Sequence, residues 1–238
     1  MKNEKRFDLL YEGKAKKVYK YSDRKLLVEF KNDVTAFNGI KKGQYANKGK
    51  INKKISTFFF ELLNEEGLNT HYLQDYDENS FIAKWGELIP LEVIVRNYTA
   101  GSFCKRYGVE KGIKFDYPLV EFSLKNDDLG DPMITKDAIL LLKICNKEIL
   151  EEIVGISNKV NNILSSFLDN KNILLVDYKL EFGISKTDKK VILIDEISPD
   201  TCRFWDKNTM ESLDKDVYRE DKGDLINAYE ALIGRLAI

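Results

Sequence analysis

The sequence has few of the residues that mark disulfide-stabilised, zinc-binding or histidine-dependent proteins. Its 238 residues include only three cysteines and one histidine. Cys104, Cys145 and Cys202 are odd in number, far apart and without zinc-ligand spacing, so we expect neither a disulfide framework nor a zinc site. His71 has no serine, cysteine or acid arranged around it as in a hydrolase triad, and we interpret it as structural. This composition fits a reducing cytoplasm.

Long apolar runs and a charge imbalance are also absent. No stretch approaches the roughly 18 apolar residues that a membrane helix needs, and residues 1–6 have no apolar segment typical of a signal peptide. The 38 basic residues are balanced by 39 acidic ones, for a net charge of −1. Because no overall field favours nucleic acid or anionic lipid, we expect neither as a partner. Any anion site must therefore be local.

What the sequence does contain is enough apolar surface for a sizeable core, with 43% hydrophobic and 32% charged residues. Period-two strands alternate with helical patterns, which favours an α+β fold with antiparallel sheets and segregated helices. We predict an N-terminal lobe over residues 1–85 and a C-terminal lobe over 86–238. The predicted elements of the first part are strands at 9–11, 18–21, 26–30 and 81–85, a helix over 47–66, a connector at 86–90 and a strand at 91–96.

In the second part, Thr135 is a good N-cap for a helix that we expect to end near Gly155, with another helix following it. Two strands then flank a polar turn over residues 185–190, and a final helix runs from 224 to 236. The predicted strands cover 173–182 and 191–197. The acidic run at 214–216 is interpreted as a solvated face.

The strand at 173–182 carries the most informative pattern. Alternation places Asp177, Lys179 and Glu181 on one face, whereas the neighbouring Tyr178, Leu180 and Phe182 face the core.

If the following hairpin turns near Asp188, Glu181 lies opposite Asp195, with the two Cβ atoms about 5 Å apart. Such a carboxylate pair makes sense when a hard cation such as Mg²⁺ lies between the two groups. An exposed face of cross-strand lysine–glutamate pairs is the alternative. The loop that follows is dense in acids and hydroxyls and contains Arg203, which favours a binding site.

Two further segments have the chemistry of phosphate binding. Residues 12–17 (Glu-Gly-Lys-Ala-Lys-Lys) form a turn that can place backbone N–H groups and lysines over a polyphosphate, although a solvated lysine-rich hairpin has the same pattern. This turn is not a Walker A loop, because a strand follows it. Arg96 closes an apolar strand ahead of Gly101 and Ser102, and together they suit a phosphate monoester. A structural Glu92–Arg96 ion pair is the alternative.

Several segments together resemble the SAICAR synthetase family, in register from about residue 9 to the C-terminus. They are residues 88–102, 175–183 and 195–200, with additional similarity at 11–19 and 33–39. The resemblance implies a two-lobed fold related to ATP-grasp enzymes, with ATP between the lobes and Mg²⁺ as cofactor. It also implies a cytoplasmic homodimer that joins L-aspartate to carboxyaminoimidazole ribotide in purine biosynthesis. The competing interpretations are a small-molecule kinase of the same fold and a non-catalytic RNA-binding module.

The resemblance also implies roles for individual residues of this sequence. The nucleotide phosphates would lie under Gly13, Lys14, Ala15 and Lys16, with Lys84 near the nucleotide and Leu88 beside the adenine. Mg²⁺ would bind to Glu181 and Asp195. The ribotide phosphate would be held by Arg96, Ser102 and Arg203, whereas Lys179 and Asp200 would lie near the reacting groups, Lys179 also contacting substrate.

Overall fold

The structure is a computed structural model that describes residues 7–36 and 40–238. Twelve strands lie in the described residues: β1 (Asp8–Glu12), β2 (Lys16–Ser22), β3 (Lys25–Phe30), β4 (Asp33–Ala36), β5 (Lys41–Gln44), β6 (Tyr72–Asp75), β7 (Ser80–Lys84), β8 (Gly86–Tyr98), β9 (Lys114–Leu124), β10 (Ile173–Ser185), β11 (Val191–Ile194) and β12 (Cys202–Asp206). The helices are α1 (Lys48–Glu65), α2 (Gly101–Tyr107), α3 (Lys136–Leu141), α4 (Lys147–Asp169), α5 (Asp216–Arg219) and α6 (Leu225–Leu236), and Asp127–Leu129 form a 3₁₀ turn. Mixed helices and antiparallel sheets confirm the α+β prediction.

The strands before residue 85 form one sheet and a separate hairpin. The sheet has the order β1-β2-β3-β7-β6, and the hairpin is β4–β5. The strands predicted at 9–11, 18–21 and 26–30 correspond to β1, β2 and β3. Of the similar segment at 33–39, the part at 37–39 lies outside the described residues.

The strands after residue 85 form the second sheet, in the order β11-β10-β8-β9, with β12 paired to β10. The predicted connector at 86–90 is wrong, because these residues are the start of β8 and its Gly86 and Leu88 pair with Ser185 and Gly183 of β10. Residue 85 thus lies between the two sheets. The division into lobes at this point stays a prediction, since one hydrophobic core contains residues from both sides.

Helix boundaries between residues 135 and 170 differ from the prediction. Thr135 does cap α3, but that helix ends at Leu141, and Gly155 lies inside the single long helix α4. Lys143 takes a left-handed φ of 54°, and the Asn146 side chain accepts a hydrogen bond from the backbone of Ile149, so a new helix begins there. None of the described helices is long and apolar enough to cross a membrane.

The core joins α1, α4 and α6 to the inner face of the second sheet. Tyr178, Leu180 and Phe182 are each only 1% exposed, which confirms the predicted core face of β10. Phe59 of α1 is fully buried, and its ring stacks on Phe204 of β12 at a centroid distance of 6.1 Å. Packing at this contact therefore fixes α1 against β12, the strand that follows the acidic loop at residues 195–201.

We expect Phe59→Ala to lower the free energy of unfolding by about 3–5 kcal/mol, because the substitution leaves a cavity in a core that cannot collapse fully. Urea unfolding monitored by circular dichroism measures this change. Leu141→Ala serves as the control: Leu141 is 81% exposed, so its loss should change stability by less than about 0.5 kcal/mol. Equal effects of the two substitutions would contradict the packing described here.

Candidate active site

A cleft of about 1300 Å³ lies between the first sheet and the ends of β8 and β10. The hairpin β4–β5 and the loop after β11 complete its walls. Ten of the residues singled out in the sequence contribute to its lining: Gly13, Lys14, Ala15, Lys16, Lys84, Leu88, Lys179, Glu181, Asp195 and Asp200. These ten residues therefore lie together along one cleft.

The predicted phosphate turn lies at one wall of the cleft. The backbone N–H of Gly13 donates to the Lys16 carbonyl at 2.9 Å, which closes the turn between β1 and β2. Lys14 is half exposed and pairs with Asp127 at 2.9 Å, so the turn contacts the 3₁₀ segment across the cleft. The Lys16 side chain points inward, where it contacts Asp195 and lies 3.2 Å from Glu196.

Lys179 is the centre of a partly buried cluster of charges. Its ammonium contacts Glu181, lies 3.0 Å from Asp195 Oδ2 and lies 3.3 Å from Glu92. Lys125 contacts Glu181 as well, at 2.8 Å. The carboxylates of Glu181 and Asp195 thus converge on one cation, the Lys179 ammonium.

The register behind this convergence is not the predicted one. Glu181 lies opposite Ile194, and Asp195 follows the last residue of β11 with a left-handed φ of 71°. The pairing is displaced by one residue because the turn closes at Ile184 and Val191 instead of being centred on Asp188. The left-handed step at Asp195 brings its carboxylate back toward Glu181, and this step has no simple sequence signal.

Burial and charge act in opposite directions on these groups. Burial alone would raise the pKa of Asp195, but Lys16 and Lys179 outweigh it and hold that pKa well below its ordinary value. Burial would lower the pKa of Lys179, yet Asp195 and Glu181 keep it raised. Asp195 and Lys179 are therefore both charged near neutral pH, and Lys179 is suited to neutralise an anion and not to accept a proton.

Asp200 lies at the back of the cleft, where its Oδ2 accepts from the fully buried Lys48 at 2.5 Å and its Oδ1 accepts from Tyr229 at 2.6 Å. Burial would raise the Asp200 pKa, but the Lys48 charge outweighs it and keeps the pKa low. A carboxylate with so low a pKa is a poor general base at neutral pH. Asp200 is suited to orient a donor group instead.

The end of the cleft near β7 and β8 suits a flat apolar ring. Lys84 donates to Asn69 at 2.6 Å and keeps its ammonium inside the cleft, whereas Leu88 is half exposed at the rim. Apolar side chains complete this end: Leu10, Val18, Leu26 and Val28. An apolar wall beside a cationic one is what a nucleotide base with attached phosphates requires.

Arg96, Ser102 and Arg203 come together outside the residues that line the cleft, around Asp177 on the same face of β10 as Lys179. Arg96 donates to Asp177 Oδ2 at 2.7 Å and to Ser102 at 3.2 Å. Arg203 donates to both Asp177 oxygens at 2.9 Å. The alternative Glu92–Arg96 pair is wrong, because Arg96 pairs with Glu121 and Glu92 with Lys179.

This cluster extends into a chain of alternating charges. Asp216 accepts from Arg203 at 2.7 Å and from Arg219 at 2.6 Å, while Glu121 bridges Arg96 and Arg106 at the other end. Four of the seven arginines of the sequence therefore take part. Gly101 packs against Arg203 with a φ of 52°, and an added Cβ would lie only 2.5 Å from the guanidinium. Glycine is needed at this position.

Sequence reasoning missed several of these charged groups. The run at 214–216 was expected to be solvated, but Asp214 is fully buried and Asp216 is 3% exposed. Burial raises the pKa of Asp214 to about 7, with Asp216 adding to the shift. The Val217-Tyr218 pair that follows is also buried, and this apolar pair was the available signal. Lys48 and Lys125 could not be recognised as site residues from the sequence, because the chain is rich in lysine and nothing in their neighbourhood distinguishes them.

Glu181 and Asp195 offer hard oxygen ligands, which suit Mg²⁺ better than softer metals. No group of three or more histidine, cysteine or acidic side chains is arranged for a metal anywhere in 7–36 and 40–238. Two protein carboxylates that converge on a shared cation nevertheless fit a Mg²⁺ whose remaining ligands are phosphate oxygens and water. The chemistry of the site is thus compatible with that ion.

An apolar pocket beside lysines and paired carboxylates is the arrangement of an enzyme that acts on a phosphorylated nucleotide. The family model for SAICAR synthetase matches residues 9–236. The chain belongs to the SAICAR synthetase family.

Among individual relatives, the phosphoribosylaminoimidazole-succinocarboxamide synthase of Thermoanaerobacter sp. strain X514 is 53% identical over 230 residues, covering 96% of this chain and 97% of that protein. The Bacillus subtilis strain 168 enzyme of the same name is 47% identical over 96% of this chain and 95% of its own length. A solved SAICAR synthetase in complex with ADP superposes with a TM-score of 0.92 at 48% identity, covering 95% of this chain and 96% of that one. The Ehrlichia chaffeensis synthase gives 0.94 at 40% identity, with coverages of 97% and 98%.

His71, which lines the cleft, is 4% exposed, and its Nε2 has no hydrogen-bond partner in the described part of the chain. Burial lowers its pKa from 6.5 to about 3. Below pH 6.5 the unfolded chain therefore binds a proton that the folded protein does not. The free energy of unfolding should fall as the pH drops below 6.5, with a slope that approaches about 1.4 kcal/mol per pH unit once the unfolded-state imidazole is fully protonated.

We expect His71→Phe, which fits the Phe60 and Phe81 rings around it, to remove this contribution. Urea unfolding of both proteins at pH 6.5 and 5.5 measures it, because other titrating groups are common to the two. The native protein should lose about 1 kcal/mol more than the variant, because the unfolded-state imidazole is already half protonated at pH 6.5. Equal losses would contradict a lowered pKa of His71 in the folded state.

Proposed function

We propose that this protein is an ATP-dependent ligase that joins L-aspartate to carboxyaminoimidazole ribotide, forming SAICAR, ADP and phosphate in de novo purine biosynthesis. The observation that carries the proposal is the convergence of Lys16, Lys179, Glu181 and Asp195 in one cleft. The near-complete length over which the chain matches enzymes of that name supports the choice of substrates.

ATP binds with its adenine at the apolar end, beside Leu88, and with its phosphates under residues 13–16. Lys84 faces the nucleotide from β7. The solved relative in complex with ADP supports a nucleotide in this family's cleft. On binding, Lys14 exchanges its exposed contact with Asp127 for a phosphate oxygen, which costs little because exposed ion pairs contribute little stability.

Glu181 and Asp195 hold Mg²⁺ in this proposal. The ion would neutralise charge on the phosphate oxygens during phosphoryl transfer. Lys179 then gives up part of its contact with the two carboxylates and turns toward the carboxylate of the ribotide. Its raised pKa keeps it cationic for this role.

The ribotide phosphate binds to Arg96, Ser102 and Arg203. Asp177 holds both guanidinium groups in place, so their remaining N–H donors are already oriented for a planar, bidentate contact. Asp177 and Lys179 are two residues apart on one face of β10, a separation of about 6.6 Å. This spacing supports a single ribotide with its phosphate at the arginines and its carboxylate near Lys179.

The reaction asks for positioning and charge neutralisation instead of a covalent enzyme nucleophile. ATP phosphorylates the ribotide carboxylate, and the aspartate amine then displaces phosphate from the acyl phosphate to leave an amide. Asp200 orients a substrate donor in this scheme. The two lobes at 1–85 and 86–238, a homodimer, and a cytoplasmic location without nucleic-acid or membrane partners belong to the same proposal.

A coupled assay for ADP release tests the function. With purified protein and Mg²⁺, ATP turnover should require both L-aspartate and carboxyaminoimidazole ribotide, because only their condensation discharges the acyl phosphate. A kinase of the same fold would release ADP at the same rate without aspartate. That result would sink the ligase assignment, as would turnover without the ribotide.

We expect Glu181→Gln to lower kcat by about 100-fold and to raise the Mg²⁺ concentration needed for half-maximal activity, because a metal carboxylate is lost. Glu92→Gln is the matched control: Glu92 pairs with Glu181 across β8 and β10 and contacts Lys179, but it is not a proposed metal ligand. Its Mg²⁺ dependence should stay that of the native protein. A normal Mg²⁺ dependence in Glu181→Gln would refute the assignment.

A further inference from the structure

A fully buried carboxylate, that of Asp214, lies behind the arginine cluster and has no assigned role. Its Oδ2 accepts from the backbone N–H of Phe204 on β12, and its Oδ1 accepts from the backbone N–H of Asp216, both at 2.8 Å. The backbone N–H of Leu213 donates to the Phe204 carbonyl, also at 2.8 Å. Asp214 therefore links the start of α5 to β12.

This link bears on Arg203, the neighbour of Phe204 in the chain. The Nε of Arg203 donates to Asp216 Oδ2 at 2.7 Å, and its Nη1 donates to Asp177 at 2.9 Å. Asp177 is carried by the central strand β10, whereas Asp216 begins α5, a helix of only four residues. A helix this short has little stability of its own. The position of Asp216 therefore depends on the link through Asp214.

The two N–H groups that Asp214 accepts from have little access to bulk water. Phe204 is fully buried and Asp216 is 3% exposed. An N–H group that loses its acceptor in such a place costs free energy. A protonated carboxyl group donates from one of its oxygens, so it satisfies two N–H donors less well than a carboxylate does. The ionised form of Asp214 is therefore the one that holds the link.

Charged and titratable groups from three elements face Asp214. Burial raises its pKa to about 7, with Asp216 of α5 adding to the shift, whereas Arg203 of β12 opposes it. Tyr229 of α6 lies close enough for Asp214 to add to the raised pKa of the tyrosine, which stays neutral. A carboxyl group with this pKa changes its charge between pH 8 and pH 6.

We propose that Asp214 is a positioning residue for the ribotide phosphate: its ionised carboxylate joins β12 to α5 and, through Asp216, keeps Arg203 oriented toward the phosphate. This inference rests on the proposed function, which places the ribotide phosphate at Arg203. Asp214 itself touches no substrate in that scheme. Ribotide binding should therefore weaken when Asp214 loses its charge, while ATP, which binds at residues 13–16, should not be affected.

Asp214→Asn removes the charge and keeps the size of the side chain. One acceptor becomes an NH₂ donor that faces a backbone N–H, so one half of the link is lost. At pH 8 the KM for the ribotide should rise about tenfold, whereas the KM for ATP and kcat should stay within about twofold of the native values. Asp23→Asn, which removes an exposed aspartate from the turn between β2 and β3, should leave all of these constants unchanged.

The pH dependence gives a readout that lost packing alone would not change. Asp214 is mostly ionised in the native protein at pH 8 and mostly neutral at pH 6. The ratio of the ribotide KM in Asp214→Asn to that in the native protein should therefore fall from about tenfold at pH 8 to about twofold at pH 6. Titration of the ribotide itself is common to both proteins and cancels in the ratio.

A second variant decides the matter if thermal unfolding shows that Asp214→Asn does not fold. Asp216→Asn neutralises the group that Arg203 contacts, and it also removes a charge that raises the pKa of Asp214. Its ribotide KM should be raised at pH 8 and should increase toward pH 6 by a smaller factor than in the native protein. Calorimetric titration with the ribotide gives the same comparison for an inactive variant. An equal increase in the two proteins would contradict the proposal.

A native ribotide KM in folded Asp214→Asn would overturn the role of Asp214. So would a lowered one, because it would mean that the carboxylate merely repels the phosphate. A KM ratio that is the same at pH 8 and pH 6 would overturn the requirement for the ionised form. Each of these results leaves the ligase function intact. By contrast, native protein whose ATP turnover ignores the ribotide would remove the proposed function itself.

Discussion

The contact of Lys179 with three carboxylates is the interaction on which the site depends. Glu92, Glu181 and Asp195 come from three different chain segments, and each would repel the others in a partly buried cleft without a cation between them. The lysine compensates that repulsion in the free protein. In the proposed complex a metal ion takes over the same role, so the carboxylate geometry is already in place before substrates arrive.

The second sheet supports this cluster because β10 serves two purposes. The side chains on one face of β10 join the hydrophobic core. Asp177, Lys179 and Glu181 lie in a row on the other face. A row of alternate residues on a buried, central strand has little freedom to move. The arginine cluster and the carboxylate cluster are thus held at a constant separation by one rigid element, which suits a substrate with a charged group at each end.

Much of this arrangement follows from sequence periodicity. The alternation in β10, the amphipathic helices and the lysine turn are local patterns that predicted the fold class and several cleft residues, whereas Lys84, Leu88 and Asp200 followed only from the family resemblance. Three features could not be predicted from the sequence, because they depend on tertiary contacts. Asp195 is placed by a left-handed backbone step, Asp214 by docking of its segment on β12, and Gly155 is tolerated within α4 because its surroundings are open.

The left-handed step at Asp195 has a consequence for how the family can vary. Glu181 and Asp195 are located by the pairing of residues 181–184 with 191–194 and by the step that follows, and not by the turn at 185–190. The exposed tip of this turn, residues 187–189, can therefore gain or lose residues without displacing either carboxylate. It is the natural place in this half of the molecule for insertions to accumulate, or for an epitope to be grafted.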